Sequence, residues 1–191
     1  AHTLDGARIS VCINVGKPQD MKGADAVQYD GVGLFRSEFL YSSETKKPTV
    51  EEQREAYQQV IDAAAPNMVI IRTLDIGGDK QIAYLNMPQE ENPFLGNRGI
   101  RLCLQNREIF EEQLEAILTA AADKRVKIML PMVTSLHEIE DTKAILEQVR
   151  AKLKQAGTPY CEDAQLGIMI ETPASAILAQ QLAGHCDFFS I

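Results

Sequence analysis

The sequence contains no tryptophan, only 6% aromatic residues, three histidines and four cysteines among its 191 residues. Cys12, Cys103, Cys161 and Cys186 are far apart, form no C-x-x-C and mostly lie in apolar segments. That pattern predicts buried reduced thiols and argues against a disulfide framework or a zinc site. His2, His137 and His185 are equally scattered, with no nearby partner for a metal site or a nucleophilic dyad. No apolar run approaches the ~20 residues needed to span a bilayer, and the opening AHTLDGARIS lacks the apolar core of a secretory signal. The expectation is a cytoplasmic protein. Positive charge is also scarce: 19 Lys and Arg against 27 Asp and Glu give a net charge of -8, which argues against a broadly cationic nucleic-acid or membrane surface. Any anion must be held by a few well-placed cations.

What is present is ordinary globular material, 45% hydrophobic, with strand-like and helix-like segments alternating throughout. Strands are predicted over Arg8–Val15, Gly31–Phe35, Met68–Leu74, Val126–Leu130, Leu166–Ile170 and near Cys186–Ile191. Met68–Leu74 is a continuous apolar run holding one arginine, as expected of a strand buried on both faces. Helices are predicted over Thr49–Ala64, around Ile109–Leu118, from Ser135 to Leu153 and over Pro173–Leu182. Two of them open on capping boxes, Thr49 with Glu52 and Ser135 with Glu138. Gln81–Gly96, with Pro88 and Pro93, reads as a long connecting loop.

This alternation implies a parallel sheet with right-handed crossovers. The first strand ends Val15–Gly16–Lys17, without the G-x-G-x-x-G of a doubly wound nucleotide fold, so a β/α barrel is the favoured architecture. A complete eight-stranded barrel takes roughly 250 residues. The chain is therefore expected to be an incomplete (β/α)8 barrel, with about six of the eight strands over residues 1–191.

In parallel α/β folds the chemistry gathers at the carboxyl ends of the strands. Arg36 ends the second predicted strand, Arg72 nearly ends the third and Glu171 ends the fifth. For Arg36 alone, an ion pair with Glu38 or another rim acid competes evenly with a ligand role. Arg72 sits among strong strand formers, where a guanidinium is costly unless it meets a polar cavity or a ligand. Two such arginines can grip one phosphate or carboxylate. Glu171 suits a hard cation such as Mg²⁺, although from this segment alone an acid favouring the start of the next helix explains it slightly better. The turn Asp75–Lys80 and the pair Arg98 and Arg101 are weaker signals when taken alone.

Taken together, GVGLFRSEFLY (31–41), IRTLDIGGDK (71–80), ENPFLGNRGIR (91–101), MLPMV (129–133), IMIETPA (168–174) and DFFSI (187–191) resemble, in order, the phosphoenolpyruvate-binding barrel of the enzyme I family, the phosphoenolpyruvate–protein phosphotransferases of bacterial sugar uptake. The resemblance covers almost the whole chain. It implies a TIM-type barrel in which Mg²⁺-bound phosphoenolpyruvate phosphorylates a histidine on a separate domain, which then passes the group to the carrier HPr and leaves pyruvate. By the same resemblance Arg36 and Arg72 bind the phosphate, Arg98 and Lys80 line the substrate site and Glu171 is a Mg²⁺ ligand, with Ser37 replacing the usual threonine. A homodimer formed through the barrel is also implied. The G-T-N-D segment with the second metal ligand, the proton-donating cysteine and the phosphorylated histidine have no counterpart here, so the fragment alone is expected to be inactive. Alternative readings are a barrel of the pyruvate phosphate dikinase or phosphoenolpyruvate synthase type, or a non-catalytic sensor barrel.

Overall fold

Alternating burial along the third strand, Met68–Arg72, shows how the fold is organised. Val69 and Ile71 are fully buried, whereas Met68, Ile70 and Arg72 on the opposite face are only partly covered. In the computed structural model, which describes residues 1–26, 28–42, 46–77, 82–85, 87, 90–92 and 95–191 and, of 25, 26 and 83, the backbone alone, this strand lies inside a six-stranded parallel sheet. The strands are β1 (Cys12–Val15), β2 (Gly31–Arg36), β3 (Met68–Arg72), β4 (Val126–Leu130), β5 (Gln165–Met169) and β6 (Phe188–Ser190), and their spatial order is their chain order. That order is the curled half of a TIM-type barrel. Among the described residues β1 and β6 each have a single neighbour, so the sheet is open. The openness explains why β3 is not buried on both faces as its composition predicts: helices cover one face, and the concave face is only partly filled.

The helices are α1 (Val50–Ala64), α2 (Ile100–Gln105), α3 (Arg107–Ala120), α4 (Leu136–Ala156) and α5 (Pro173–Leu182). Packing runs from α1 to α3 and from α3 to α4. In α3 the apolar residues Phe110, Leu114, Ile117 and Leu118 are essentially inaccessible; full burial of each such side chain contributes about 1.5–3 kcal/mol. Phe35 of β2 meets Tyr57 of α1 edge to face at 5.9 Å, fixing helix against sheet. Both predicted capping boxes form. The Thr49 N–H donates to Glu52 Oε2 at 2.7 Å and the Glu52 N–H to Thr49 Oγ1 at 3.2 Å; the Ser135 N–H donates to Glu138 Oε2 at 2.9 Å.

One expectation shifts, and two further elements stand where none was predicted. The first strand starts at Cys12 rather than Arg8, because Ile9 and Val11 are about half exposed and Arg8 is bridged to His2 instead. A 3-10 stretch, Pro18–Ala26, occupies the polar segment between β1 and β2. Arg101 falls inside a short separate helix, α2, which leads directly into α3.

The thiols divide. Cys103 and Cys161 are buried as expected, but Cys12 is exposed, on the outermost strand β1, and Cys186 is intermediate. Burial pushes the Cys103 thiol far up, while Cys12 is raised by partial desolvation and then by nearby Asp30. Alkylation of the folded 191-residue chain at pH 8 should therefore modify Cys12 well before Cys103, with faster labelling of Cys12 as pH rises through its elevated pKa. Peptide mass spectrometry reads the order, and early labelling of Cys103 would contradict this packing.

Candidate functional site

Arg36 and Arg72 are register partners at the carboxyl ends of β2 and β3. Arg36 is exposed and takes part in no ion pair among the described residues. Arg72 is only 13% exposed in its side chain and lies between two carboxylates, Glu38 at 2.6 Å and Asp75 at 3.1 Å. Asp75, itself 7% exposed, also receives Arg98 at 3.0 Å. Glu38, Arg72, Asp75 and Arg98 thus form a continuous line of alternating charge. Ion pairing of this kind fixes a guanidinium's direction more than it stabilises the fold, since desolvation offsets much of the Coulomb gain. Arg72 Nε, buried, has no hydrogen-bond partner among the described residues.

The local chain explains these positions. Ser37, immediately after Arg36, donates from Oγ to the Arg72 carbonyl at 2.9 Å and so ties the two strand ends together. Gly77, at φ +140°, brings the segment after β3 against Arg98, and the Gly99 N–H donates to the Ile76 carbonyl at 3.2 Å. Gly99, at φ +55°, lets Met132 approach closely. Met132 follows Pro131 at the end of β4 and has φ +59°, a conformation uncommon for a non-glycine residue. Its N–H donates to Glu171 Oε1 at 2.7 Å, which anchors the exposed carboxylate beyond β5. Glu171 Oε2 has no hydrogen bond among the described residues.

An arrangement of two in-register arginines, a third arginine held by a shared aspartate and an exposed carboxylate can bind a small multiply charged anion at a strand-end rim. Residues 1–191 match the family described as PEP-utilising enzyme, PEP-binding domain. The chain belongs to that family. The chain is similar to the phosphoenolpyruvate-protein phosphotransferases of Staphylococcus carnosus (strain TM300), 48% identical over 99% of this chain, and of Haemophilus influenzae, 45% identical over 100% of it. The same-named protein of Listeria monocytogenes is 48% identical over 98% of the chain. The chain spans about a third of the length of these curated relatives, 33% in each case.

Within this PEP-binding domain the residues singled out from sequence divide clearly. Arg36 and Arg72 are neighbours on the rim, Arg98 joins Arg72 through Asp75, and Glu171 stands on the loop after β5. Lys80 lies outside the described residues. Arg101 turns away and donates to the Leu95 carbonyl at 3.0 Å. Glu38, weighed as a partner for Arg36, belongs instead to Arg72. Asp75 as the link between two arginines was missed, although its place three residues after Arg72 was a usable signal. Met132 as a backbone donor to Glu171 left no trace in the sequence.

Proposed function

We propose that this chain supplies the phosphoenolpyruvate site of a phosphoenolpyruvate–protein phosphotransferase, with residues 1–191 forming six strands of an eight-stranded barrel. In the full-length protein the phosphoryl group goes to a histidine on another domain and then to HPr, with release of pyruvate. The protein acts in the cytoplasm as a homodimer built through the barrel. The carrying observation is the in-register pair Arg36 and Arg72, one exposed and the other held by Glu38 and Asp75 with Nε unmatched. Arg36 and Arg72 bind the phosphate; Arg98 and Lys80 complete the substrate site. Phosphoryl transfer requires placement and charge neutralisation more than covalent work from the protein, and fixed guanidinium groups provide both.

Glu171 fits Mg²⁺. Among the described residues no three His, Cys, Asp or Glu side chains gather to form a closed cage. One exposed carboxylate at a substrate rim suits an ion that keeps several waters and substrate oxygens. A bound Mg²⁺ would supply charge neutralisation at the oxygens of the substrate. The Met132 N–H keeps one Glu171 oxygen engaged and the carboxylate aimed, leaving the other oxygen available. The names of the relatives favour a protein phosphotransferase over a dikinase or synthase, and the sensor reading is disfavoured by the full set Arg36, Arg72 and Glu171.

Calorimetry of the full-length protein with phosphoenolpyruvate should show Mg²⁺-dependent binding. Glu171→Gln should raise the Mg²⁺ concentration for half-maximal binding by about tenfold or more, the scale on which losses around a metal act. An unchanged Mg²⁺ requirement would remove Glu171 from the metal site. No binding by the wild-type protein would overturn the function itself.

A further inference from the structure

Behind the rim arginines, the helix α3 contributes one fully buried polar side chain, Gln113. Every polar group of its amide is used. Oε1 accepts from the Leu74 N–H at 2.9 Å, two residues beyond Arg72. Nε2 donates to Ser37 Oγ at 3.1 Å, one residue beyond Arg36, and to Tyr57 Oη at 3.0 Å. Ser37 in turn donates to the Arg72 carbonyl. The amide therefore holds the chain just past both arginines, and Tyr57, 0% exposed, anchors that amide to α1.

An apolar residue would serve packing here with less desolvation, since burying an amide is costly unless all its hydrogen bonds are made. A fully satisfied buried network instead specifies one arrangement of the groups it joins. The groups joined are the carboxyl-terminal extensions of β2 and β3, and the object aligned is the in-register pair Arg36 and Arg72.

From this geometry we infer that Gln113 is a positioning residue for phosphoenolpyruvate: it sets the spacing of Arg36 and Arg72 through Ser37 and Leu74, without touching the ligand. The inference rests on the phosphoenolpyruvate site proposed above.

The test uses the full-length protein and compares wild type, Gln113→Glu, Ser37→Ala and the double variant. Glutamate keeps the acceptor for Leu74 but cannot donate to Ser37 Oγ, and alanine removes that link from its other end together with the bond from Ser37 Oγ to the Arg72 carbonyl. Each single change should weaken phosphoenolpyruvate binding about tenfold, and the double variant should lose little more than the worse single one, because both break the connection between Gln113 and Ser37. In steady-state transfer to HPr the change should fall mainly on KM for phosphoenolpyruvate. Thermal unfolding shows how much protein is folded. A purely structural role predicts a lowered Tm with unchanged KM in the folded fraction, and that result overturns the inference. Should Gln113→Glu fail to fold, Gln113→Leu, which removes the amide links without adding a buried charge, takes its place: unchanged affinity overturns the inference and a matching loss supports it. If the wild type itself fails to bind phosphoenolpyruvate, the proposed function falls, and the positioning role falls with it. If the wild type binds and all variants bind equally well, only the role of Gln113 is lost.

Discussion

Replacing Arg72 by alanine in the full-length protein should lower phosphoryl transfer from phosphoenolpyruvate by at least about 10³-fold, the scale on which an arginine facing a transferring phosphoryl group acts. Two of its properties support so large an effect. Its guanidinium is held in one orientation by Glu38 and Asp75, so its remaining donor capacity is directed before a ligand arrives. It also relieves the two carboxylates. Without it, Glu38 at 16% side-chain exposure would face the site as an unopposed charge and Asp75 would be left with Arg98 alone, so the rim would repel an incoming phosphate more strongly. Removing one partner of a buried ion pair costs about 3–5 kcal/mol, so the variant should also be less stable. Phosphohistidine labelling must therefore be normalised to folded protein by a parallel unfolding curve. Near-normal labelling per folded molecule would sink the assignment of Arg72 to the phosphate. Lysine is no substitute at this position, since a single ammonium cannot reproduce the fork between Glu38 and Asp75.

The same cluster shows how far a sequence can be read. Charged residues at strand ends are legible because parallel strands otherwise exclude them, and Arg36, Arg72 and Glu171 were found on that basis. The six strands and the capped helices α1 and α4 are equally legible, since periodicity and capping act over a few residues. Contacts across long stretches of chain are a different matter. Gln113 reaches Ser37 across 76 positions and Leu74 across 39, and nothing near Gln113 in the sequence announces either partner. The half-open concave face of β3 escaped for a related reason: Met68–Leu74 has the composition of a doubly buried strand, and only the extent of the sheet decides whether its second face is covered. Cys12 shows the same dependence, a thiol on an apolar strand that is exposed because β1 lies at the sheet's edge. Local propensity specifies elements, whereas burial and partners depend on what the fold sets beside them.

Gly77→Ala should be the most damaging single change that removes no functional group. A Cβ at position 77 would fall on Cβ of Arg98 and stand 2.8 Å from its Cα and 3.0 Å from the Asn97 carbonyl oxygen. The obstruction is partly backbone, so no rotamer change relieves it, and φ +140° is itself a conformation that favours glycine. The segment 97–99 would have to retreat from the end of β3, opening the 3.0 Å contact of Arg98 with Asp75 and the bond from the Gly99 N–H to the Ile76 carbonyl. Asp75 would then serve Arg72 alone, and Arg98 would leave the rim. Strain and overpacking of this kind typically cost about 1–3 kcal/mol each, and phosphoenolpyruvate affinity should drop about tenfold or more in the molecules that still fold. Gly184→Ala provides the control: a Cβ there meets nothing within 4 Å and its backbone is unstrained, so stability and binding should be unchanged. Unfolding curves and calorimetry on both variants separate the two effects. Wild-type stability and affinity in Gly77→Ala would mean that the segment after β3 does not pack on Arg98, and that the line of charge from Glu38 to Arg98 is not what orients Arg72.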